Sequence, residues 1–112
     1  MPYIVTVMFA RPASGKYNFN MDHYLNVHTE LATKVFGPLG LRSLKVVDYR
    51  DDESQPYLIG NVMEWESVEA FEREKGSAAV GAVFADLANV TDLPPIFLQG
   101  EIKKTVKYDP TN

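Results

Sequence analysis

Residues 3–9, Tyr-Ile-Val-Thr-Val-Met-Phe, have no polar side. Their β-branched and aromatic content predicts a strand. In that strand Tyr3, Val5, Val7 and Phe9 point one way, and Ile4, Thr6 and Met8 point the other. Residues 57–65 repeat the pattern: Tyr57, Ile59, Met63 and Trp65 alternate with Leu58 and Val62. Strands that are apolar on both sides are covered on both sides. A sheet built on them therefore needs two covers, and one chain of 112 residues has to find both.

The rest of the chain supplies one cover. Residues 11–16 form a loop marked by Pro12 and Gly15, and Asn20 is placed to cap a helix that Gly37-Pro38-Leu39-Gly40 ends. Residues 41–49 predict a second strand, and the acidic turn at 51–56 joins it to the third as an antiparallel hairpin. Ser67 is placed to cap a second helical region, broken at Gly76-Ser77 and continued by small residues from Ala78 to about Asn89. After Pro94-Pro95, residues 96–108 predict a long last strand. The order β-α-β-β-α-β is the ferredoxin-like split motif. We therefore expect an α+β fold in which one four-stranded antiparallel sheet carries both helices on one face. The length suits a single domain over residues 1–112. A chain of this size buries roughly 65% of its unfolded surface, enough for one core. The sheet's other face then calls for a second copy of the chain, a homodimer with its sheets packed face to face.

The first helix carries the candidate chemistry. Met21, Tyr24, Leu25, His28, Leu31, Ala32 and Val35 recur at helical spacing as one stripe. His28 stands in that stripe where packing alone would choose Leu or Ile. An inward titratable group has to be hydrogen-bonded, shifted in its titration, or used. Tyr24 lies four residues earlier, on the same face, so a phenol and an imidazole open toward one space. Such a pair can accept and deliver protons near neutral pH. The competing reading is a core histidine bonded to a backbone carbonyl or a water. His23 is five residues from His28, about 140° around an α-helix, and reads as a surface residue that cannot share a metal with it.

Other classes find no support in the residues. The formal net charge is −4, and no basic cluster exceeds Lys103-Lys104, which argues against nucleic acid. The chain has no cysteine, so disulfides, thiolate catalysis and Cys-ligated metal centres are excluded, as suits a cytoplasmic protein. No secretory leader is expected at residues 1–4, and no apolar run approaches the ~20 residues of a membrane span. Gly76-Ser77-Ala78-Ala79-Val80-Gly81 lacks the features of a phosphate loop, and no dinucleotide fingerprint follows the first strand. No organic cofactor and no metal are expected. Thr6, Asn61, Gln99 and Glu101 are polar positions on otherwise apolar strands that could orient a ligand or face solvent.

The segment Phe19-x-x-Asp22-x-Tyr24-x-x-x-His28-x-x-Leu31, after a strand and a Gly-containing loop, resembles the signature of the EthD family. Gly40-Leu41 and the Trp65-Glu66-Ser67 junction followed by Ala70-Phe71 fit the same layout. The family often has two tyrosines where this chain has His23-Tyr24, and a proline where it has Glu30. The resemblance implies a dimeric α/β barrel of ferredoxin-like protomers. The family is named for a protein of ethyl tert-butyl ether degradation, and related barrels include cofactor-independent monooxygenases, isomerases and dehydratases.

On this basis we expect a homodimeric, cofactor-independent enzyme acting on a small apolar cyclic or aromatic molecule. His28 would be general acid or base and Tyr24 its partner, with Tyr3, Phe9, Tyr57, Met63 and Trp65 lining the pocket. The alternative is a binding or accessory protein in a degradation pathway, in which His28 only orients the ligand.

Overall fold

The computed structural model describes residues 2–74 and 76–110. Four strands, β1 (Tyr3–Ala10), β2 (Leu41–Asp48), β3 (Tyr57–Trp65) and β4 (Ile96–Glu101), form one sheet in the order β2-β3-β1-β4. Every neighbouring pair is antiparallel. The helical elements fall between β1 and β2 and between β3 and β4, so the chain has the ferredoxin-like order.

The register decides what faces the helices. Val7 pairs with Asn61 on one side and Phe97 on the other, and Val5 pairs with Met63 and Gln99. Directly opposed residues share a face. Tyr3, Val5, Val7, Phe9, Ile59, Asn61, Met63 and Trp65 are all buried on the helix side, in strict alternation along β1. Asn61 and Gln99 therefore point inward, where Gln99 accepts a hydrogen bond from the Tyr3 hydroxyl (3.1 Å). Thr6, paired with Val62 and Leu98, lies on the opposite face. Ile4, Thr6, Met8 and Val62 on that face stay half-buried, and Leu98 is 56% exposed.

The first helix begins at α1 (Met21–His23), where the Asn20 side chain accepts from the His23 amide (3.0 Å). Phe19 packs edge-on against Tyr24, ring centroids 5.1 Å apart, and fixes the entry angle. The helix continues through a π-helical turn, Tyr24–His28, into α2 (Thr29–Phe36). Gly40 ends the following turn at φ 120°, and a Cβ there would meet the Ala70 Cβ at 2.8 Å. Only glycine satisfies both conditions.

After β3, α3 (Val68–Glu74) opens on Ser67, whose hydroxyl accepts from the Ala70 amide (3.1 Å). Then α4 (Ala78–Asp86) opens on Ser77 and runs into a 3-10 turn at Leu87–Asn89. Val80 and Val83 are buried against the sheet, and most of the remaining α4 residues are small.

The last strand differs from the expectation. It ends at Glu101 rather than Tyr108, and residues 102–108 run on without strand pairing. All six β4 residues are exposed. β4 is an edge strand paired with β1; one further backbone bond, from the Ile102 amide to the Pro2 carbonyl (3.1 Å), follows Glu101, and there the described part of the neighbouring chain ends.

Candidate functional site

The site is built on the π turn. There the Thr29 amide bonds the Tyr24 carbonyl, five residues back rather than four. The Thr29 hydroxyl instead takes the Leu25 carbonyl (2.7 Å), the oxygen its own amide would bond in a regular α-helix. One additional residue in the turn brings positions five apart onto one side. His23 and His28, set about 140° apart by α-helical geometry, therefore point to the same place.

That place is Asp86, at the end of α4. His28 Nδ1 lies 3.0 Å from Asp86 Oδ2, and His23 Nε2 lies 3.0 Å from Oδ1 and 3.1 Å from Oδ2. Asn89 Nδ2 donates to Oδ1 at 3.0 Å. Burial works to raise the Asp86 pKa. The bonds from Asn89, His23 and His28, with the charge of His23, overcome it and bring the carboxyl down from 3.8 to about 2. Asp86 is thus a carboxylate at any ordinary pH. The reading of His23 as a surface residue is corrected: its side chain is 24% exposed and its ring is held by Asp86. A period of 3.6 residues per turn does not hold through this wider stretch, so the two rings are not set about 140° apart.

His28 is itself buried, and its ring stacks on Tyr24 with centroids 5.3 Å apart and planes 12° from parallel. Because Asp86 takes Nδ1, the ring nitrogen left for chemistry is Nε2. The Tyr24 hydroxyl oxygen accepts from Asn61 Nδ2 (2.9 Å). Burial pushes the phenol up to about 12, against the lowering effect of that hydrogen bond. Tyr24 is therefore a neutral donor across the working range.

His28, Tyr24 and Asn61 line a crevice between sheet and helices, closed by Val7, Ala32, Phe36, Met63, Val83, Phe84, Leu87 and Phe97. A second crevice, reached past Phe36, Met63, Phe84 and Phe97, is lined by Trp65 and Phe71. Each has a volume of about 20 Å³, which is room for about one water. Two buried side-chain polar atoms have no partner among the described residues, and both belong to this region: Asn61 Oδ1 and Trp65 Nε1. They stand on the same face of β3, four residues or about 13 Å apart along the strand. A buried polar atom without a partner is a place where a guest can bond at no cost in protein hydrogen bonds.

Phe84 and Phe97 form the outer wall of both crevices. Their centroids are 5.6 Å apart at 81°, and they are 40% and 43% exposed. On their far side lies an open depression of about 530 Å³, bounded by Leu87, Leu93, Pro94 and Pro95 among others. A larger open depression, about 730 Å³, follows the outer flank of the first helix and includes neither histidine nor Tyr24.

Of the expected pocket residues, Met63 and Trp65 line the crevices. Tyr3, Phe9 and Tyr57 do not. Phe9 is fully buried against Phe19 and Tyr24, and Tyr3 packs on Phe71. Tyr57 sits half-buried at the start of β3 opposite Ala10. Sequence reasoning missed Asp86, Phe84 and Phe97. Asp86 had a signal: it follows buried Val80 and Val83 at three-residue spacing, so it shares their inward face. Both Asp86 oxygens are held by imidazole nitrogens, and among the described residues no group of three or more acidic and histidine side chains is arranged to hold a metal ion.

The fold and this arrangement define an α+β protein of the ferredoxin-like class, with a histidine–carboxylate pair under its first helix. No family sequence model matches the chain, and no curated protein matches it in sequence. Solved structures do match. An EthD-like protein from Ralstonia eutropha JMP134 superposes with a TM-score of 0.74 at 18% identity, over 93% of this chain and 96% of that one. SnoaB, a cofactor-independent oxygenase from Streptomyces nogalater, does so at 0.68 and 11% identity, over 96% and 98%. A dimeric ferredoxin-like protein of unknown function from Jannaschia sp. CCS1 does so at 0.65 and 16% identity, over 91% and 100%. The resemblance read in the first helix thus holds at the level of fold, with an EthD-like protein among the structures that share it.

Proposed function

We propose that the chain is a cofactor-independent enzyme that moves a proton on a small cyclic or aromatic molecule, with His28 as general base and acid. The carrying observation is the 3.0 Å contact of His28 Nδ1 with Asp86, which fixes the ring and leaves Nε2 for the crevice. Asp86 holds the neutral imidazole with its proton on Nδ1 and stabilises the imidazolium formed when Nε2 takes a proton from substrate. Tyr24, neutral below about pH 12, keeps its proton and donates a hydrogen bond from its hydroxyl to a substrate oxygen. Asn61 Oδ1 accepts from a substrate hydroxyl. His28 then returns its proton to a second position on the substrate or to the product. The oxygenase among the fold's relatives, described as cofactor-independent, supports chemistry carried by side chains in such a site.

Substrate enters where Phe84 and Phe97 part. Phe84 stands on a helix of mostly small residues and Phe97 on the edge strand, so moving either ring disturbs few neighbours. The half-buried apolar sheet face bearing Ile4, Met8, Val62 and Leu98 is covered by a second copy, which agrees with the dimeric neighbour of the same fold. The whole is a cytoplasmic dimer of one EthD-like domain over residues 1–112.

Trp65 is the chain's one tryptophan and lines a crevice, so its fluorescence reports occupancy. Hydroxylated aromatics and cyclic lactones are titrated against that signal, and those that bind are assayed for turnover. His28→Ala should leave binding within about threefold and lower turnover by about 10²–10⁴-fold, the usual worth of a general base. Bound compounds recovered unchanged from the wild-type protein would instead favour the accessory or binding reading.

A further inference from the structure

Residues 102–108 have strand-like composition and no strand to join. Among the described residues, Tyr108 and Val106 are the most exposed large apolar side chains, at 87% and 77%, and Leu98 of β4 follows at 56%. The Ile102 amide still reaches the Pro2 carbonyl, as a ladder bond would. No helix, turn or bend interrupts residues 102–109, so the segment does not fold back over its own sheet. The Cα radius of gyration is 15.3 Å, against about 13 Å for a compact chain of this length, which agrees with a projecting segment.

The register of β4 shows which way this arm faces. Ile96 pairs with Met8 and Leu98 with Thr6 on the outer face of the sheet, whereas Phe97 pairs with Val7 on the helix side. Alternation carried past Glu101 puts Ile102, Lys104, Val106 and Tyr108 on the outer side, and Lys103, Thr105 and Lys107 on the other. The two most exposed apolar side chains therefore prolong the apolar outer face beyond the end of the sheet. A solvated tail has no use for such a division of sides; a strand laid on an apolar surface needs it. Charge agrees. Glu64, opposite Ile4, is half-buried on the outer face and makes no ion pair among the described residues. Covering that face buries its carboxylate, which is costly unless a cation meets it. Lys104 stands on the matching side of the arm. Length agrees as well: seven extended residues reach about 23 Å, and a four-stranded sheet is about 14 Å across.

We propose that residues 102–108 are an arm that lies on a second copy of this chain, with Val106 and Tyr108 packed on that copy's outer sheet face. Two-fold symmetry makes the contact twice. The proposal rests on the sheet-face dimer inferred above and adds to it the segment that clasps the two copies.

Sedimentation equilibrium of the full-length protein over a concentration series gives the dimer dissociation constant. Val106→Ser combined with Tyr108→Ser should raise it at least about tenfold and leave the circular dichroism unchanged. Lys103→Gln combined with Lys107→Gln, on the side turned to water, should leave it within about threefold. The chain has no cysteine, so Lys107→Cys takes a single nitroxide label. In dimers mixed from that chain and isotope-labelled wild type, the nitroxide should broaden β1 and β3 amides of the isotope-labelled copy. An unchanged dissociation constant in the Val106, Tyr108 variant, or no broadening in the isotope-labelled copy, overturns the arm and leaves the sheet-face dimer standing. Equal weakening by the lysine pair also overturns it, since alternation would then not set the contact. Wild type that stays monomeric as it is concentrated overturns the dimer and the arm together.

Discussion

Replacing Asp86 with asparagine should remove a pH-dependent share of the folding stability. The Asp86 carboxyl lies at about 2 in the folded chain against an ordinary 3.8. Each unit of pKa difference is worth about 1.4 kcal/mol, so the ionised carboxylate contributes about 2 kcal/mol to the folded state. The side chain is 13% exposed, and water at that edge screens part of the contribution, which keeps it at about 2 kcal/mol or below. Because the folded pKa is depressed, the contribution is complete above pH 4 and lost as pH falls through 2. Urea unfolding of wild type and Asp86→Asn, at one protein concentration and at intervals from pH 6 to pH 2, measures it. The gap between the two should be about 2 kcal/mol at pH 5–6 and should close by about that amount toward pH 2. Comparing the two chains cancels other depressed carboxylates such as Asp48, which is held down by the Arg50 side chain. A gap that stays constant across this range would mean that Asp86 is no more acidic folded than unfolded, and that its bonds to the two imidazoles do not stabilise the carboxylate.

Tyr24 predicts the mirror image. Its folded pKa is raised to about 12, so its stabilising share is present below pH 10 and lost as pH climbs toward 12. Wild type should lose about 2 kcal/mol more than Tyr24→Phe across pH 10–12 in the same unfolding assay. Gly40→Ala places a methyl 2.8 Å from the Ala70 Cβ at φ 120°, and should lower stability by at least about 2 kcal/mol, read as a fall in thermal midpoint. Leu98→Asp puts a charge on the outer sheet face. It should convert the proposed dimer to monomer in sedimentation and leave the monomer's circular dichroism unchanged.

Alternation and caps carried most of the fold. β1 was legible because a strand's side chains alternate strictly, and the structure buries Tyr3, Val5, Val7 and Phe9 on one side as that rule demands. Asn20 and Ser67 marked the helix starts because their side chains bond the first free amides. The end of β4 was not legible: residues 102–108 have strand-like composition, but composition cannot tell that the neighbouring strand has run out. Within the site, Tyr24 and His28 were readable as one face, since a four-residue spacing keeps them together in either type of turn. His23 was not, because a π turn is stabilised by tertiary bonds to Asp86 and by the Thr29 hydroxyl, and those partners are remote or unremarkable in sequence. Phe84 and Phe97 gave no sign of meeting, since only the sheet order places β4 beside the second helical region.

Catalysis at this site requires His28 Nε2 to open to a space that a guest can enter between Phe84 and Phe97. A crystal structure of the protein soaked with a compound that quenches Trp65 measures this directly. The ring of the bound compound should lie between Asn61 and Trp65, with an oxygen or acidic carbon within about 3.5 Å of His28 Nε2. A compound bound only in the open depression along the first helix, with Phe84 and Phe97 unmoved, would mean that His28 does not face a substrate site.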